Sequence, residues 1–203
     1  MIVAAYAIDF ERLLPALSDW LTDAERDAAL AYRQLHRQQQ FLAGRSLLRW
    51  LVATQWHCAS GAIAISRQEN GAPALSVGGQ QWHCSISHIQ GAVLVAASPQ
   101  HVVGVDIETI QPRKRLVAMA TAYQDGFFAG IDGSHWPLFY QRWTLAEAVT
   151  KAEQGLLLRT LRSPLQDYPT RASHYRVGNL MMCCYSATAT VEPIAFRCFP
   201  FPV

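Results

Sequence analysis

The sequence predicts an α+β protein made of two similar α+β halves, each a long helix packed on a small sheet, with the active site between the halves. Three observations predict this class. Long helical patterns occupy residues 23–58 and 135–154, and short β-favouring pieces follow each of them. The order strand, long helix, several strands occurs twice, with a seam near Pro99, giving an N-terminal half over residues 1–98 and a C-terminal half over 99–203. Of 203 residues, 51% are apolar and 16% charged, enough to bury full cores and to exclude disorder as the main state. A cleft between two halves is a natural place for a ligand.

The elements follow in order. Residues 2–8 form an apolar opening strand, and Thr22 with Glu25 makes a Thr-x-x-Glu capping box at the start of a helical region read as two helices. In the second of these Phe41, Leu48, Leu51 and Val52 recur at helical spacing, and Gly44 leaves room for a close neighbour. The opposite face carries Arg37, Arg45 and Arg49. Strands are expected at 63–66, 82–87, 92–97 and 102–107, with Asn70-Gly71-Ala72-Pro73 as a turn. Helix returns after Pro112, and the long helix of the second half ends at Gly155. Strands at 173–177, 180–187 and 193–196 precede a Phe-Pro tail that should lie extended.

No stretch reaches the roughly 18 uninterrupted apolar residues of a spanning helix, and Asp9, Glu11 and Arg12 interrupt the apolar start before a signal-peptide core forms. A cytoplasmic protein is expected. Five cysteines without a C-x-x-C spacing read as reduced, mostly buried residues. The word Gln-Trp-His-Cys at 55–58 and 81–84 reads as coincidence rather than a zinc site, because neighbouring side chains diverge. A net charge of +2 gives no argument for nucleic acid. Of the 17 basic residues only two, Lys114 and Lys151, are lysines. A lone ammonium in a chain that otherwise uses guanidinium suggests a need for a compact point charge.

Candidate chemistry centres on three segments. In Gly104-Val105-Asp106-Ile107-Glu108, strand alternation presents Asp106 and Glu108 on one face while Val105 and Ile107 face a core. Two close carboxylates repel unless a hard cation joins them. In the helix running from Trp143 to Lys151, Glu147 and Lys151 stand four apart on one stripe with Trp143. Ser85-Ile86-Ser87-His88 places hydroxyls and an imidazole at a strand end before Gly91.

Together with Phe41-Leu42-Ala43-Gly44-Arg45-Ser46-Leu47-Leu48-Arg49, these segments, in this order and at these intervals, resemble the surfactin-type 4′-phosphopantetheinyl transferase family over residues 37–156. The resemblance implies a pseudo-dimeric fold and transfer of the phosphopantetheine arm of coenzyme A to a serine of an acyl or peptidyl carrier protein, releasing 3′,5′-ADP. It implies that Asp106, Glu108 and Glu147 hold Mg²⁺, with Mn²⁺ as the alternative. Glu147 would accept the serine proton and Lys151 would neutralise the leaving phosphate. Arg37, Arg45, Ser87, His88 and Lys151 would bind coenzyme A. The partners implied are the carrier and coenzyme A, with neither nucleic acid nor membrane, and a monomer is expected.

The chain departs from the family pattern at Ala72 and Ala146, where lysines are usual. Two other readings use the same residues: an impaired homologue that binds coenzyme A or a carrier, and a metal-dependent phosphohydrolase. Against the second stands the lack of another acidic cluster for a two-metal site.

Overall fold

The computed structural model describes residues 1–188 and 194–201. It is a mixed α+β structure that divides into two compact units, residues 1–100 with 195–201, and His101–Ile194. The division gives the last described residues to the first unit, whereas the sequence reading placed them in the second half.

In the first unit the strands are β1 (Val3–Ile8), β2 (Ile63–Arg67), β3 (Pro73–Val77), β4 (Gln80–Ile89) and β5 (Ala92–Ser98), with β9 (Phe196–Cys198) returning at the far edge. They form one six-stranded sheet in the order β2-β3-β4-β5-β1-β9. The tail joins because Ala4, Ala5 and Tyr6 of β1 pair in parallel with Phe196, Arg197 and Cys198. The expected strand at 193–196 is thus found at 196–198, with position 193 and the tail's Pro202 outside the described residues. Strand β3 was not expected, since Pro73 ends the turn signal and also begins the strand. Neither was the short helix α1 (Phe10–Ala16), which contains Pro15.

The helical region resolves into α2 (Asp23–Leu30) and α3 (Leu35–Trp56). Ala43, Leu47, Leu48, Leu51 and Val52 of α3 enter the first core with Val93, Val95 and Ala97 of β5. Each fully buried leucine contributes ~1.5–3 kcal/mol. Gly44 meets β4, where an added Cβ would lie 2.8 Å from Ile86 Cγ2. On the arginine face Arg37 is exposed, while Arg45 and Arg49 are only 6% and 3% exposed. Helix α2 covers Arg49, its capping-box residue Glu25 forming a bidentate pair with it at 2.7 and 2.9 Å, and Arg45 donates to Ser66 O at 2.9 Å.

The second unit contains β6 (Val103–Thr109), α4 (Leu116–Ala122), α5 (Trp136–Ala152), α6 (Leu157–Arg162), β7 (Ala172–Val177) and β8 (Leu180–Ser186). Its three strands run in the order β6-β8-β7, all antiparallel. Both units therefore share one connectivity, strand, long helix, hairpin, in which the hairpin's second strand pairs antiparallel with the first strand: β1-α3-β4-β5 and β6-α5-β7-β8. Helix α5 ends at Ala152. Its left-handed terminal residue is Gln154 (φ 49°), not Gly155, whose N–H donates to Thr150 O at 3.0 Å. Helix α4 begins after Arg113-Lys114-Arg115, so these cations precede its first turn.

Candidate functional site

The second unit brings together the acids and the lysine. Gly104 decides the fit, because a Cβ there would strike the backbone carbonyl of Ala148 and lie 2.8 Å from Ala152 N. Strand β6 and helix α5 therefore touch backbone to backbone, and the helix runs antiparallel to the strand. Alternation along β6 then turns Asp106 and Glu108 to the same side as Gly104, toward α5. The acids thus border the core that α5 covers, which includes Met181, Cys183 and Tyr185 opposite them on β8. Val105 and Ile107, expected to face a core, are buried on the other face of the strand.

Asp106 is 5% exposed. Lys151 Nζ donates to Asp106 Oδ1 at 2.6 Å and to Val105 O at 3.1 Å. Glu108 accepts from Trp143 Nε1 at 3.2 Å and from Arg113 at 3.2 Å. Burial pushes the Glu147 carboxyl above its ordinary value, and the Asp106 and Glu108 charges add to this against the pull of Lys151. Burial and then Asp106 push Glu108 up likewise, against Arg113. All three acids therefore lie within electrostatic reach of one another. Among the described residues no three His, Cys, Asp or Glu side chains converge as a ready metal-holding group. As placed, Lys151 and Arg113 serve as the counter-ions of Asp106 and Glu108.

The first unit carries a cationic cavity of about 460 Å³, lined by Arg37, Arg45 and His88 among the expected residues, and also by Gln40, Phe41 and Arg67. Gln40 Oε1 accepts from Arg37 at 3.2 Å, Ser66 O accepts from Arg45 at 2.9 Å, and the Arg45 guanidinium lies 5.1 Å from the Phe41 ring centre. Among the described residues no carboxylate lines this cavity. Ser87 is buried and is not brought to it, since alternation in β4 points Ile86 and His88 into the cavity and Ser87 to the opposite face.

Sequence reasoning missed Arg67. Its only signal is long-range within the hairpin, where Arg67 pairs with Pro73 across the Asn70-Gly71-Ala72 turn. Of the two departures, Ala146 is fully buried in the second core, so its small side chain is a packing requirement. All five cysteines are free, and burial pushes the Cys84 and Cys184 thiols up to about 12.

No protein-family model matches the chain. It is 32% identical over 124 residues to the 4′-phosphopantetheinyl transferase AcpT of Escherichia coli K12, covering 59% of this chain and 60% of that protein. To AcpT of Salmonella typhimurium LT2 it is 30% identical over the same length. A Synechocystis protein named "Putative 4′-phosphopantetheinyl transferase slr0495" is 27% identical over 151 residues, 69% of this chain and 59% of that one. The matched region spans about 60% of the length of these curated relatives.

Proposed function

We propose that the chain is a 4′-phosphopantetheinyl transferase of the surfactin type, moving the phosphopantetheine arm of coenzyme A to a serine of an acyl or peptidyl carrier protein. The observation that carries this reading is the backbone contact at Gly104, which sets Asp106 and Glu108 of one strand against Glu147 and Lys151 of one helix. Similarity to proteins named for this activity supports it. The shared connectivity of the two units supports the finer fold reading, a pseudo-dimer of similar halves.

The donor set fits a hard divalent cation. Three carboxylates in mutual repulsion, two of them pushed toward their protonated forms, are relieved by an oxygen-ligated ion. Asp106, Glu108 and Glu147 would hold Mg²⁺ or Mn²⁺, which when bound would neutralise pyrophosphate charge. The protein's own groups do the rest. Glu147 takes the proton of the carrier serine as the hydroxyl oxygen forms its bond to the phosphorus bearing the pantetheine arm. The bond from that phosphorus to the bridging oxygen breaks, and 3′,5′-ADP leaves. Lys151, whose side chain is a third exposed, meets the charge that develops on the departing phosphate. Arg37, Arg45 and His88 bind the anionic nucleotide end in the arginine cavity.

The carrier surface in this reading is the basic segment Arg113-Lys114-Arg115. It rims an apolar cavity of about 230 Å³ floored by Met119, Phe139, Tyr140 and Trp143, one hydrogen bond from Glu108. An acidic amphipathic helix meets both halves of that surface, its charges the rim and its apolar side the floor. The test is chromatographic release of 3′,5′-ADP from coenzyme A and a divalent cation, with and without apo carrier. Release only with the carrier supports transfer. Release without it points to a phosphohydrolase, and no release in either arm contradicts both.

A further inference from the structure

Glu108 holds two partners, one on each oxygen. Trp143 Nε1 donates to Oε1 at 3.2 Å, and Arg113 Nη2 donates to Oε2 at 3.2 Å. The two bonds differ in kind. Trp143 is neutral and belongs to helix α5, whereas Arg113 is charged and belongs to the irregular segment before α4. The backbone of that segment is pinned on both sides: Tyr140 Oη donates to Gln111 O at 3.0 Å, and Leu116 N–H donates to Arg113 O at 3.2 Å. The Arg113 side chain is not pinned, being 46% exposed against 19% for Glu108. Arg113 can therefore change partner by side-chain rotation alone, about a root that stays in place.

The other counter-ion is tied differently. Lys151 donates to Val105 O as well as to Asp106, so it keeps a backbone acceptor when the carboxylate is engaged elsewhere. Among the described residues Arg113 has Glu108 as its one side-chain hydrogen-bond acceptor. What it has besides is a ring: its guanidinium carbon lies 5.7 Å from the centre of Tyr140, and both residues border the apolar cavity with Lys114 and Arg115. A turn away from Glu108 keeps the charge near that aromatic face, at the cavity rim. Charge decides between the two positions. A guanidinium bonded to a carboxylate oxygen that also holds a divalent cation meets a like charge a few ångströms away and is repelled.

We propose that Arg113 is a positioning residue that couples metal binding to carrier docking: it is the counter-ion of Glu108 until a divalent cation takes that place, and it then turns to the cavity rim to meet an acidic residue of the carrier. This rests on the proposed transferase reading and gives its site an order of assembly. The metal raises affinity for the carrier and, by linkage, the carrier raises affinity for the metal to the same degree.

Two titrations of the full chain without coenzyme A test the coupling, using wild type, Arg113→Gln, Arg115→Gln and Glu108→Gln. Mn²⁺ binding is read from the electron paramagnetic resonance signal of the free ion. Calorimetry with an apo acyl carrier protein whose acceptor serine is alanine is run in Mg²⁺ and in EDTA at equal ionic strength. Arg113 and Arg115 are exposed, so their variants should fold, and a thermal melt checks all three. Arg115→Gln removes the same charge from a residue that is not a partner of Glu108. Expected is Mn²⁺ binding about fivefold tighter in Arg113→Gln, the upper scale of an ion pair between partly exposed side chains, and within about twofold of wild type in Arg115→Gln. Mg²⁺ should tighten carrier binding about fivefold in wild type. Arg113→Gln should lose that difference, while Arg115→Gln should bind the carrier more weakly yet keep it. Mn²⁺ affinity unchanged or weaker in Arg113→Gln, an equal gain in Arg115→Gln, or wild-type carrier binding that ignores Mg²⁺ overturns the role of Arg113. The metal reading still stands in those cases if wild type binds Mn²⁺ and Glu108→Gln binds it more weakly. Wild type that binds no Mn²⁺ overturns both.

Discussion

Lys151 is one of two lysines in a chain rich in arginine, and its ammonium sits 2.6 Å from Asp106. A point charge fits between a strand carbonyl and a carboxylate where a planar fork would not. Lys151→Ala should therefore lower kcat more than it raises KM for coenzyme A, because the charge it meets is greatest in the transition state. Lys151→Arg should recover only part of the rate. Steady-state kinetics of the two variants checks this; wild-type turnover by Lys151→Ala would make the residue a structural counter-ion only. A second buried pair plays a purely structural part. Burial alone would push the Glu25 carboxyl up, but hydrogen bonds from Arg49 and Thr22 and the Arg49 charge more than reverse this and hold it below its ordinary value. A depressed folded-state pKa contributes stability that is present above the unfolded value, near 4.5, and is lost as pH falls through the folded one. Arg49→Met leaves that carboxylate buried and should cost ~3–5 kcal/mol in urea unfolding at neutral pH. The double variant Arg49→Met, Glu25→Leu should recover most of it and lose the acid-dependent component.

At the scale of elements, two glycines at helix–sheet contacts make a controlled comparison. At Gly104 an added methyl meets backbone of α5, which cannot turn aside; at Gly44 it meets the end of the Ile86 side chain, which can. Gly104→Ala should destabilise by ~1–3 kcal/mol or more and, by shifting β6 against α5, should also depress kcat. Gly44→Ala should cost less, since the alanine gains ~1 kcal/mol of helix propensity. Thermal melts and kinetics of both read the contrast directly. The same elements show how far sequence reaches. The capping box at Thr22, both long helices and the Asp106/Glu108 alternation are local signals, set by periods of 3.6 and 2, and they are present in the structure. The burial of Arg49 depends on α2 folding over α3, and Arg67 reaches the arginine cavity only through hairpin register. Period alone carries neither fact. Alternation says which residues share a face, while the glycine decides which face the helix takes.

For the molecule as a whole, one connectivity appears in two units of unequal elaboration, a six-stranded sheet in one and a three-stranded sheet in the other. The extra strands have local causes. The hairpin β2–β3 extends the first sheet at one edge, and the Phe-Pro tail closes the other, with Phe199 buried in the first core and stacked edge-on to Trp50 at 4.9 Å. Charge divides by unit as well, with a guanidinium-lined cavity in the first and the acid–lysine cluster in the second. The most direct test is intact-mass analysis of apo acyl and peptidyl carrier proteins after incubation with this chain, coenzyme A and Mg²⁺, beside a carrier whose acceptor serine is alanine. The account predicts a gain of one phosphopantetheine mass on at least one serine-bearing carrier, and none on its alanine counterpart or with Lys151→Ala at equal time. Carriers that stay unmodified here, while a known transferase loads the same preparations, would contradict it.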